Sequence, residues 1–159
     1  DELVTYYSNV GVRVVMLSAN DAREIFQLVT ELDCLALRYA CSGELRMAMQ
    51  EELSDIIRLS DESIAKKDFT AWREYSDRFH LVFHKYCNNS RLVAASKKLL
   101  AQMTLLINAY QLLDENVDIV NKDHKRIYEA ISAGDNDSAQ SLMHRHLEDD
   151  MYRALKAIG

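Results

Sequence analysis

An all-α fold, an antiparallel bundle of about six helices, is what this sequence predicts, and three observations predict it. Proline is absent and glycine occurs only 4 times in 159 residues, where average usage would give about eight and about eleven. A chain so poor in turn-formers cannot build a sandwich or barrel of many short strands. From Ser18 onward apolar residues recur at helical period. The breaks between the periodic stretches are short, which makes consecutive helices antiparallel neighbours. The length suits one core that buries roughly 70% of the unfolded surface.

The elements follow in order. Residues 1–17 differ from the rest. Leu3-Val4-Thr5-Tyr6-Tyr7 and Val12-Arg13-Val14-Val15-Met16-Leu17 are rich in β-branched and aromatic residues, and Ser8-Asn9-Val10-Gly11 between them is turn chemistry. This predicts a β-hairpin, which is marginal in water without support. Residues 18–159 form the helical unit. Asn20 or Asp21 is expected to cap a first helix with Ile25, Leu28, Val29, Leu32, Leu35, Ala36 and Tyr39 on one stripe, ended by Gly43. A second runs from about Glu44 to Lys67 with Met49, Leu53, Ile56, Ile57 and Ile64. Asp68 caps a third, with Phe69, Trp72, Phe79, Val82, Phe83 and Tyr86 inward, broken at Asn88-Asn89-Ser90. A fourth carries Leu92, Leu99, Leu100, Met103, Leu106, Ile107 and Tyr110. Asn116 caps a fifth that ends at Gly134, and Asp135 or Asp137 caps a sixth.

Charge and cysteine usage narrow the function classes. Lys plus Arg is 19 against 25 for Asp plus Glu, a formal charge of −6. That argues against a whole-surface nucleic-acid binder, which needs a basic stripe. No apolar run approaches a membrane span and no signal-peptide pattern opens the chain. Cys34, Cys41 and Cys87 make an odd set without a C-x-x-C spacing. They are expected to be free thiols in a reducing cytoplasm.

The histidines carry the chemistry. His80, His84, His124, His144 and His146 all fall in the second half. At about 100° per residue, His80 lies at the edge of the third helix's apolar stripe, His124 borders that of the fifth, and His146 sits inside that of the sixth. Asp150 is one turn beyond His146 on the same face. Asp77, His84 and His144 point further out; for His80 with His84 a solvated polar face is expected over a surface chelate. Three inward imidazoles in low dielectric require buried carboxylate partners or a divalent metal. A di-iron carboxylate bundle is disfavoured, because no histidine has Glu three residues before it.

The same histidines sit in family-like settings. Phe79-His80-Leu81-Val82-Phe83 followed by Asn89-Ser90-Arg91-Leu92 resembles the "F-H-x-x-L … N-P-x-L" segment of the FadR C-terminal (FCD) ligand-sensing domain of GntR-family bacterial transcription regulators. Asp123-His124-Lys125-Arg126-Ile127-Tyr128-Glu129-Ala130-Ile131, then Gly134-Asp135, resembles its "E-H-x-x-I-x-x-A-I-x-x-G-D". Ala139 with Met143-His144-Arg145-His146-Leu147 resembles its closing "A-x-x-x-M-x-x-H-L", and Leu28 with Leu32-Asp33 stands for its opening "L-R-x-x-L-E". Residues 1–17 look like the wing of the winged helix-turn-helix that precedes such domains. The resemblance covers nearly the whole chain, and the order and spacing of the motifs make it specific.

The resemblance implies a helical effector-binding and dimerisation domain. It implies a divalent metal, zinc or nickel first, held by His80, His124 and His146. The family's fourth ligand, an Asp or Asn one turn before the first histidine, is replaced by Ser76, with Asp77 adjacent as a substitute. Val29 stands where many members carry an effector-gripping arginine. A small organic acid is the expected effector, beside Ser76, Phe83, Asn108, Tyr110 and Met143, with Asp150 orienting a histidine. The implied partners are a second copy of the chain and DNA, the latter through an N-terminal domain not present in this sequence. Two other classes stay open at this stage: a metal-dependent enzyme on a helical bundle, and a helical interaction module without metal.

Overall fold

Most helices begin where a side chain can take up the first free amides. The computed structural model describes residues 4–7, 11–14 and 16–159, with side chains from Met16 onward. Strands β1 (Val4–Tyr7) and β2 (Gly11–Val14) pair antiparallel, Val4 opposite Val14 and Tyr7 opposite Gly11. The turn expected at residues 8–10 lies outside the described residues. Six helices follow: α1 (Ala19–Ser42), α2 (Arg46–Ala65), α3 (Phe69–Tyr86), α4 (Ser90–Ala109), α5 (Val117–Ser132) and α6 (Asn136–Ile158).

The caps at α3 and α6 are the expected Asp68 and Asp135, and α4 takes its cap from Asn89 in the break before it. Asp68 accepts from the Ala71 amide, Asn89 from Leu92 and Asp135 from Ser138. Asn116 stands at the start of α5, but its Nδ2 donates back to the Leu112 carbonyl at 2.9 Å. α1 departs from expectation. Its cap is Ser18, neither Asn20 nor Asp21. Ser18 Oγ accepts from the Asp21 amide at 3.1 Å, and the Asp21 carboxylate accepts from the Ser18 amide at 2.8 Å. Asp21 is thus the third residue of a reciprocal capping box.

α1 packs against α6, α4 and α3; α3 lies between α1 and α2; α5 rests on α6 and α2. This burial on several sides moves the inner face of α1 from the expected stripe. Leu28 and Tyr39 are exposed, whereas Ala22, Phe26, Asp33, Ala36 and Leu37 are fully buried. The true face is rotated by about 100° from the expected one. Phe69, at the first turn of α3, is also exposed. The core itself is built from Phe26, Met49, Trp72, Phe79, Phe83, Ile127 and Met143. None of the described helices is long and apolar enough to cross a membrane.

Candidate metal centre

Three helices each bring one buried imidazole to a common point. His80 comes from α3, His124 from α5 and His146 from α6, and all three are buried. Their inner nitrogens converge: His124 Nε2 is 3.2 Å from His146 Nε2, which is 3.4 Å from His80 Nε2. Phe79 stacks on His124 with centroids 4.1 Å apart and closes one flank.

Carboxylates hold the outer nitrogens. Asp33 on α1, fully buried, accepts from His80 Nδ1 at 3.0 Å through Oδ2 and from His84 Nε2 at 2.7 Å through Oδ1. Asp123 Oδ2 accepts from His146 Nδ1 at 3.3 Å. Asp150 Oδ2 lies 3.6 Å from His146 Nε2, while its Oδ1 accepts from Arg153 at 2.6 Å. Burial pushes the Asp33 carboxyl up, but the bonds from His80 and His84 outweigh it and hold it below the usual range. Burial likewise raises Asp123, and the bond from His146 outweighs it. Burial, with the neighbouring His146 and His80, drives His124 well below the usual imidazole range. Burial lowers His146 too, but Asp150 and Asp123 reverse the sign and leave it raised.

These donors suit a divalent cation. A neutral imidazole that donates its Nδ1–H to a carboxylate turns its Nε2 lone pair inward. His80 and His146 do this toward one another, and two lone pairs 3.4 Å apart repel unless positive charge stands between them. Nitrogens bound to one ion at about 2.0–2.1 Å in tetrahedral geometry would stand about 3.3 Å apart. The observed 3.2 and 3.4 Å bracket that separation.

Comparison with known proteins gives the same architecture a family. The FCD domain family matches residues 24–149. The chain belongs to the FCD domain family. A search of curated proteins found no match. Among solved structures, a protein described as a transcriptional regulator GntR from Rhodococcus sp. RHA1 superposes with TM-score 0.77 at 22% identity, covering 98% of this chain and 73% of that one. The metal-free FCD domain of TM0439, a transcriptional regulator, gives 0.73 at 19% identity over 91% of this chain and 98% of that one. The Zn2+-bound FCD domain of the same regulator gives 0.69 at 20%, covering 89% and 96%. At such identities the likeness is one of fold.

Within this FCD domain the structure brings together His80, His124, His146 and Asp150, and places Ser76 buried one turn before His80. Asp77 does not join the converging atoms and is exposed, because it faces away from the buried arc of α3. Phe83 and Met143 are fully buried in the core. Asn108 is exposed and lines a groove of about 330 Å³ with Arg73 and Asp114. Tyr110 lines a different groove of about 490 Å³, with Asn116, Arg153 and Lys156. His144 is half-exposed between Glu31 and Glu148, as its face predicts. His84 is not solvated: it is buried against Asp33, because α1 covers that side of α3. Sequence reasoning missed the roles of Asp33 and Asp123. Both were visible inside the motifs, one after Leu32 and one before His124.

Proposed function

We propose that this FCD domain is the effector-sensing part of a GntR-type transcription regulator, that a divalent metal, zinc or nickel, is held by His80, His124 and His146, and that the effector is a small organic acid. The observation that carries the reading is the convergence of three buried Nε2 atoms from three helices, backed by carboxylates on the outer nitrogens of two of them. Three neutral imidazoles leave a bound divalent ion Lewis-acidic positions that suit oxygen ligands. Ser76 supplies no negative charge where the family places a carboxylate or amide, which favours an anion as the incoming ligand. Arg153 supports a route from outside: it lines the groove with Tyr110 and also bonds Asp150, which abuts His146.

In this reading residues 1–17 are the wing of a DNA-binding domain, DNA is contacted through that domain, and the working unit is a homodimer. The role is regulatory rather than enzymatic. The test is metal analysis of the purified chain, then calorimetry with small carboxylates before and after chelation. A stoichiometric divalent metal, and carboxylate binding lost on chelation, are expected. Equal binding by the metal-free chain would show that the acid does not use the metal. Sedimentation that finds only monomer at high micromolar concentration would remove the dimer.

A further inference from the structure

We propose that Asp33 is the positioning residue of the metal centre and that His84 is the clamp that holds it, so that α1 sets the tautomer and donor strength of His80 without supplying a ligand. The inference rests on the metal reading above. Asp33 is fully buried, and both its oxygens are engaged, one by His80 and one by His84. A buried carboxylate is costly unless its oxygens are bonded. His80 and His84 are four residues apart on α3, so their side chains lie one turn apart on one face. A single carboxylate from α1 therefore reaches both.

The state of His84 points to its purpose. Its Nδ1 is buried with no hydrogen-bond partner. Its Nε2–H donates to Asp33 at 2.7 Å, the only hydrogen bond its side chain makes among the described residues. A leucine would fill the space without an orphaned nitrogen, so packing does not account for an imidazole here. The bond to Asp33 does. Held at both oxygens, Asp33 cannot rotate away from His80 Nδ1. The Nδ1 proton stays on the outer side of the ring and Nε2 faces the cluster. A carboxylate at the outer nitrogen also strengthens the inner nitrogen as a donor, and removing such a partner weakens metal binding by about 10- to 100-fold.

The experiment measures zinc affinity of the chain by competition with a chromophoric chelator, for the wild type, Asp33→Asn, His84→Leu, His84→Gln and His80→Ala. Asp33→Asn is expected to weaken zinc by about 10- to 100-fold and His84→Leu by about threefold to tenfold. His84→Gln, whose amide can still donate to Asp33, is expected to stay within about twofold of the wild type. Nitrogen-15 spectra of the zinc-loaded wild type should show His80 protonated at Nδ1 and metal-bound at Nε2, a readout that needs no variant to fold. Wild-type affinity in a folded Asp33→Asn, or His80 bound through Nδ1, overturns the inference while leaving the metal reading intact if His80→Ala has lost zinc. A wild type that binds neither zinc nor nickel removes both.

Discussion

At His80 one carboxylate serves two imidazoles; at His146 one imidazole lies between two carboxylates. The first arrangement is sealed, with Asp33 fully buried and both oxygens used. The second is open at its edge. The Asp123 side chain is 22% exposed, and Asp150 is shared with Arg153, which also lines an outer groove. The difference teaches that the centre has a sealed wall on α1 and α3 and a partly exposed wall on α5 and α6. A ligand that enters from solvent would meet the partly exposed wall.

The largest expected effect is loss of a converging imidazole. His124→Ala or His146→Ala should weaken zinc binding by more than about 100-fold, beyond the loss of an orienting partner; equilibrium dialysis measures it. Stability should then separate the walls. Asp33→Ala leaves two buried imidazoles without their acceptor and should cost the metal-free chain about 3–5 kcal/mol in urea denaturation. Asp123→Asn removes a weaker, partly exposed contact and should cost about 1 kcal/mol. Equal losses would erase the distinction.

The walls should also answer pH with opposite sign. Asp33 titrates below its ordinary 3.8 in the folded chain. Its contribution is present above the unfolded value and is lost as pH falls through the folded one. His146, facing Asp123, Asp150, Arg153, His80 and His124, titrates above its ordinary 6.5. Its contribution is full below 6.5 and is lost as pH rises through the folded value. The metal-free chain should therefore lose His146's share of stability on the alkaline side, in the window where zinc affinity rises because the competing proton leaves. Denaturation and zinc titration across pH 5–9 check both signs. The smallest effect belongs to His144→Ala, outside both walls: zinc affinity unchanged, and stability within about 0.5 kcal/mol.

The six helices, the caps of two of them and the three converging histidines were legible in the sequence, because period and punctuation report one helix at a time. What they cannot report is which neighbour covers which side. An apolar stripe marks the buried face only where a helix is covered along one line. α1 meets α3, α4 and α6, so its buried arc takes in polar residues, and Asp33 lies near the middle of it. For the same reason His84 is buried although its place on the α3 stripe points to solvent: its cover comes from a helix more than 40 positions away in sequence. His144 and His146 were sorted correctly because the stripe of α6 is the face it buries. The partner of a buried acid is a property of two helices together, and no single-helix pattern contains it.

α1 runs from Ala19 to Ser42 without proline or glycine and starts on a reciprocal cap. Helices bend sharply at such residues or at local insertions, so this one has no hinge supplied by composition. Ser18 and Asp33 are 15 positions apart, about 22 Å along the axis at 1.5 Å per residue. Moved as one piece about Asp33, the helix would carry its Ser18 end by about 1 Å for a tilt of about 3°.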